Sequence, residues 1–218
     1  MLRNLFLWWK EDILLRQALE ETMQALDKVN RMFCFAMEVL LKGKGEGRSI
    51  YDMDKEVNRL QIDIRKKILE HLAINPKQDI TASLVLITII IDIERIGDFT
   101  KNIVELQEMC SGERLEKGKY ILEVEEIRGK LERLLEETKK VFMDADVQKA
   151  KPLMSEYTWI AHKCDSLLNL LTGEEGLKAR EVLVYGLLFR YLKRIDIHAR
   201  NICSSVVNPF HKLGYKPE

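Results

Sequence analysis

Ile87-Thr-Ile-Ile-Ile-Asp-Ile-Glu-Arg-Ile-Gly-Asp98 is the stretch on which the reading of this 218-residue chain turns. Around it, Leu86, Ile89, Ile93, Ile96, Thr100, Ile103 and Leu106 recur at three- and four-residue steps, the spacing that lines one face of an α-helix. A second stripe begins as Leu84, Ile87 and Ile91 and then changes into Glu94 and Asp98. An apolar stripe of this length can fill a bundle core. Two carboxylates stacked four residues apart, about 6 Å from each other, repel and call for a compensating partner.

Working outward, the same periodicity predicts helices through nearly the whole chain, and no stretch alternates as a half-buried strand would. The first helix carries Leu19, Met23, Leu26, Val29, Phe33, Met37 and Leu40, and it stops at the glycine cluster Gly43-Lys-Gly-Glu-Gly47. The second starts at Ser49-Ile-Tyr-Asp52, a capping-box pattern, and runs through Ile50, Met53, Val57, Leu60, Ile64 and Ile68 to Asn75-Pro76. The third is expected from Asp79 to Met109, with breakers at Ser111-Gly112 and Gly118. The fourth shows Ile121, Val124, Ile127, Leu131, Leu134, Thr138 and Val141. The fifth is expected to start near Pro152, a first-turn residue, and to carry Tyr157, Ile160, Cys164, Leu167 and Leu171 as far as Gly173. The sixth is expected from Glu175 to Val207, stopped by Asn208-Pro209.

The third and sixth helices echo each other. Arg95, Ile96, Asn102 and Ile103 reappear as Arg194, Ile195, Asn201 and Ile202 at a constant spacing of 99 residues. A shared ending on two three-helix sets reads as duplication of one unit. The expected fold is therefore all-α: two tandem three-helix bundles, six long antiparallel helices in all, related by a pseudo-two-fold repeat. The first repeat is assigned to residues 1–112 and the second to 118–218.

Composition narrows the function. Lysine plus arginine and aspartate plus glutamate both number 35, so the formal net charge is zero, which argues against a nucleic-acid binder. Cys34, Cys110, Cys164 and Cys203 are far apart and form no CxxC pair, as expected of thiols in a reducing compartment. The apolar start from Met1 to Trp9 meets charge at Lys10-Glu-Asp12, too soon for a signal peptide or a bilayer span. A cytoplasmic protein is expected, with Leu5, Phe6, Trp8 and Trp9 available to a membrane surface.

Across from Glu94 and Asp98, the second helix offers Asp54 and Asn58 at the same four-residue spacing. Two facing pairs of oxygen ligands suit a hard cation or iron. The same residues also suit a solvated acidic edge paired with Arg59, Arg95 or Lys101, and spacing alone leaves both readings open. Gly43-Lys-Gly-Glu-Gly-Arg-Ser49 precedes a helix with Lys44 and Arg48 but lacks a preceding strand, so it reads as an interhelical turn. His71, His162 and His211 are isolated, and His198 reads as a packed or surface histidine. No serine, histidine and acid constellation stands out.

Ile93-Glu-Arg-Ile-Gly-Asp-Phe-Thr-Lys-Asn-Ile103 resembles the hallmark third-helix motif of PhoU domains, Leu-Glu-Arg-Ile-Gly-Asp-His-Ala-x-Asn-Ile, and Asp54-Lys-Glu-Val-Asn58 with Arg59-Leu60 resembles the family's second-helix motif. The resemblance covers both repeats. It implies a two-bundle regulator, not an enzyme, that restrains phosphate uptake or its signalling by contact with a phosphate transporter or sensor kinase at the cytoplasmic side of the membrane. It implies iron or zinc in the first repeat, held by Asp54, Asn58, Glu94 and Asp98, and it leaves room for a homodimer and for peripheral membrane association. The second repeat departs from the motif, with Lys193 and Ile197 in place of the two carboxylates, Asp196 in place of the glycine, and Ala161 and Asp165 on the fifth helix. There Lys193 is expected to neutralise Asp165 where a cation would otherwise sit. Two other readings are a carboxylate-bridged metalloenzyme and a soluble scaffold partner of a sodium–phosphate cotransporter. The Glu-x-x-His spacing of ferritin-like sites is absent, which counts against the enzyme.

Overall fold

The computed structural model describes residues 12–43, 49–76, 78–110, 115 and 119–215, and the chain described is helical throughout. The helices are α1 (Ile13–Lys42), α2 (Ile50–Ile74), α3 (Ile80–Met109), α4 (Lys119–Asp144), α5 (Val147–Glu156), α6 (Thr158–Leu171) and α7 (Ala179–Val207), followed by a 3-10 turn at Phe210–Lys212. Among the described residues no helix is long and apolar enough to cross a membrane. Leu5, Phe6, Trp8 and Trp9, the glycine-rich turn with Lys44 and Arg48, and the breakers Ser111, Gly112 and Gly118 lie outside the described residues.

The core follows the periodicity. Every member of the first α3 stripe, from Leu86 to Leu106, is buried. Val29, Phe33, Met37 and Leu40 of α1 and Val57, Ile64 and Ile68 of α2 close around it, and Val124, Ile127, Leu131, Leu134 and Thr138 of α4 play the same part in the second half. α1, α2 and α3 pack mutually, while α7 receives α4, α5 and α6; the two sets meet along α3 against α7 and α1 against α4.

The α3–α7 seam carries the duplication into three dimensions. At the 99-residue spacing, Asp92 corresponds to Tyr191 and Phe99 to His198. The His198 ring lies 2.7 Å from the Asp92 carboxylate, and the reciprocal pair, Phe99 and Tyr191, has ring centroids 6.0 Å apart. Phe99 also stacks on its own counterpart His198 at 5.8 Å. Residue i of one repeat touching j of the other, while j touches i, is the signature of an isologous two-fold contact. Asn201 adds a donor to Asp92 at 3.2 Å.

Two of the expected helices, the fifth and the sixth, differ in their bounds from the sequence-based expectation. The fifth helix is two helices, starting at Val147 rather than near Pro152 and broken at Tyr157. Asp146 sets the start: its carboxylate accepts from the Lys149 backbone at 3.1 Å, after Ala145 at a φ of 48°. Pro152 then falls within the helix, where it has no N–H to give to the carbonyl four residues back. At the break, Ser155 Oγ donates to the Pro152 carbonyl and Thr158 Oγ1 to the Ser155 carbonyl, and the buried Tyr157 ring turns inward with its hydroxyl 3.3 Å from Glu137. The last helix begins at Ala179 rather than Glu175, with the Lys178 backbone N–H donating to Glu181 at 2.8 Å.

The start of α1 is tied to the end of α2 through one carboxylate. Asp12 Oδ1 accepts from the backbone of Leu14 and Leu15 at 2.9 and 3.0 Å, capping the helix, while Oδ2 meets His71 at 2.9 Å and Asn75 at 3.3 Å. His71 is fully buried. Burial raises the Asp12 carboxyl, but the Leu15 and His71 hydrogen bonds outweigh it and hold the group below its ordinary value. Asp12→Ala is expected to cost about 2 kcal/mol, the loss of a cap together with an orphaned buried imidazole. Since the folded carboxyl lies below its unfolded value, its contribution is present above the ordinary aspartate range and is lost as pH falls through the folded value. Urea melts of both proteins at pH 7 and pH 3 check this: the gap between them should shrink in acid.

Candidate functional site

The acidic residues of the third-helix motif and those of the second helix do come together. Asp54, on the inner side of α2, is nearly buried at 8% exposure. Asn58, one turn on, donates its amide to Asp54 at 3.2 Å. From α3, Lys101 reaches across and bridges the two helices, its ammonium 3.1 Å from Asp54 and 3.1 Å from Asp98. Arg95 donates to the other oxygen of Asp98 at 3.2 Å and lies 3.7 Å from Glu94. Arg59 stays exposed on α2. Gly97 completes the packing beneath the motif: a Cβ there would sit 3.6 Å from Val29 and 3.9 Å from Val57.

The electrostatics follow from this crowding. Partial burial raises the Glu94 carboxyl, and the neighbouring Asp98 charge raises it further against the pull of Arg95. Burial alone would lower the Lys101 ammonium, but its hydrogen bonds to Asp54 and Asp98 prevail and raise it, so the lysine stays charged. Asp54, Glu94 and Asp98 are thus met by two cations of the chain's own. Among the described residues no group of three or more histidine, cysteine, aspartate or glutamate side chains is arranged to hold a metal ion. The iron or zinc that the motif implies does not fit this arrangement, because the Lys101 ammonium takes up oxygens a divalent ion would need.

The second repeat shows the expected salt bridge. Lys193 donates to both oxygens of Asp165 at 2.7 Å. A further pair was not anticipated. Asp196, at the glycine position of the motif, is fully buried and is gripped by Arg200 through three contacts of 2.7 to 3.2 Å. The signal was available in the repeat itself, since Arg200 stands where the first repeat has Lys101. Asp92 was missed too: its partner His198 is 106 positions away, and no local spacing connects them.

Burial raises three of the four thiols. Burial pushes the Cys164 thiol up to about 12, with Asp196 and Asp165 adding to it. Burial likewise carries Cys203 to about 12, although Thr138 lies 3.3 Å away. Cys34 is raised by burial and by Glu132.

With this geometry in view, the likenesses to known proteins gain meaning. The family model of the PhoU domain matches residues 22–107, which span both motif helices and the Lys101 bridge. The chain is 24% identical over 200 residues to the phosphate-specific transport system accessory protein PhoU homolog 1 of Thermotoga maritima, covering 89% of this chain and 80% of that protein. Its fold superimposes on the crystal structure of PhoU from Pseudomonas aeruginosa with a TM-score of 0.80 at 21% identity, over 89% of this chain and 95% of the other. The phosphate transport system regulatory protein PhoU from Streptococcus pneumoniae gives 0.78 at 17% identity, over 88% and 93%. Residues 22–107 thus match the PhoU domain, and the fold of nearly the whole chain is that of the PhoU crystal structures.

Proposed function

We propose that this protein regulates phosphate transport by contact with another protein, without a reaction of its own. The observation that carries the reading is the match to the PhoU domain over residues 22–107, supported by the likeness over 200 residues to a transport-system accessory protein. The chemistry agrees with it. The motif carboxylates are engaged by lysine and arginine, His198 is bonded to Asp92, and two of the thiols are raised to about 12. Such a molecule acts through its surface and through the state of its two bundles, which we take as one unit up to residue 112 and another from residue 118. The partner is a phosphate transporter or a sensor kinase, met at the cytoplasmic side of the membrane.

Deleting the gene in its source cell is expected to raise phosphate uptake, or the output of the phosphate-sensing kinase, when phosphate is plentiful. Expressing the intact chain should restore the restraint. A tagged chain should also capture a transporter or kinase component from the membrane fraction, read by mass spectrometry. Unchanged uptake and unchanged kinase output in the deletion strain would overturn the reading.

A further inference from the structure

We infer that Lys101 is the resident cation of the α2–α3 carboxylate cluster, and that it keeps divalent metal out of a motif whose acids would otherwise hold it. Three observations carry this independently of the partner question. First, the ammonium is central: it bonds Asp54 on α2 and Asp98 on α3 at 3.1 Å each, joining the facing pairs a metal would have to bridge. Second, its environment holds it there. Lys101 is about four-fifths covered and Asp54 nine-tenths covered as side chains, so moving the lysine out would strand a buried carboxylate. Third, the second repeat satisfies its charges the same way, with Arg200 at the Lys101 position clamped to Asp196 and Lys193 at the Glu94 position clamped to Asp165. Each half is closed by its own cations.

The physical reason for exclusion is competition for the same lone pairs. A hard divalent ion binds carboxylate oxygens at about 2.0 to 2.6 Å and needs several of them around it. Asp54 Oδ2 also accepts from Asn58 at 3.2 Å, and both Asp98 oxygens are taken, one by Lys101 and one by Arg95. Glu94 has Arg95 at 3.7 Å and the Asp98 carboxylate beside it. Glu94, the Asn58 amide and the second Asp54 oxygen make a poor shell, and an adjacent ammonium repels the incoming ion.

The test uses the full chain, loaded with zinc chloride or, under anaerobic conditions, ferrous sulfate, then desalted and assayed for metal per chain. Lys101→Met removes the charge and keeps most of the stem. Lys101→Gln keeps a donor for Asp54 and serves if the first variant does not fold. The wild-type protein is expected to retain little metal and to melt at the same temperature with zinc or with chelator. Either lysine variant should retain about tenfold more and melt higher with zinc than with chelator, and both gains should vanish when Glu94→Ala and Asp98→Ala are added. Stoichiometric metal in the wild type that is lost on adding Glu94→Ala and Asp98→Ala would overturn the inference. So would folded lysine variants that retain no more metal than the wild type.

Discussion

Ile93→Asp is expected to unfold the protein or bring it to the edge of unfolding, whereas the neighbouring Glu94→Ala leaves the melting temperature close to that of the wild type. Ile93 is fully buried in the α3 stripe that all three helices of the first half pack against. Replacing it removes a buried branched side chain and puts a carboxylate where no donor is available. Losing the apolar contacts alone costs about 2 to 5 kcal/mol, and burying an unpaired charge adds several more. Against a typical total stability of about 5 to 15 kcal/mol, the sum is comparable with the whole. Glu94 lies one residue on and 19% exposed as a side chain. Its carboxyl is raised by partial burial and by Asp98, so its charge works against the folded state at neutral pH and deleting it removes a repulsion. Thermal melts of the two variants beside the wild type decide the matter, and similar midpoints for both would show that the two faces of α3 have been misassigned.

That contrast between adjacent residues was legible before any coordinates, because burial on a helix is periodic and Ile93 falls on the stripe. The echo of Arg95, Asn102 and Ile103 in Arg194, Asn201 and Ile202 was likewise readable, and the reciprocal Asp92–His198 and Phe99–Tyr191 contacts are its physical counterpart. What escaped reading involves side chains meeting across helices. Periodicity along α3 names Lys101 and Arg95 as possible partners for Asp98. It cannot say that the lysine reaches to Asp54 rather than yielding to a metal, since that depends on how α2 and α3 are set against each other. Asp12, His71 and Asn75 lie together only because α1 starts where α2 ends. Pro152 pointed to a helix start, yet the local side-chain bonds of Asp146, Ser155 and Thr158 decide where the fifth helix begins and breaks.

The buried pair of the second repeat should make stability depend on pH. Arg200→Met is expected to destabilise the protein by about 3 kcal/mol at pH 7, the lower end for breaking a buried ion pair because Arg200 is itself partly exposed. Asp196 has no exposed surface, and with the guanidinium gone its carboxylate is left uncompensated. Burial already raises this carboxyl, with Arg200 opposing the rise, so the substitution pushes it further up. A carboxyl raised in the folded state favours folding below its unfolded value and loses that advantage as pH climbs through its folded value. The deficit of Arg200→Met should therefore be small in mild acid and grow toward neutrality. Adding Asp196→Ala, which gives the position nearly the bare backbone of its counterpart Gly97, removes the stranded charge and should recover most of the loss. Urea melts of the wild type, both single variants and the double variant at pH 5 and pH 7 complete the cycle. Strictly additive costs, or a deficit in Arg200→Met that does not change with pH, would mean that Asp196 is not held charged by Arg200 in the folded protein.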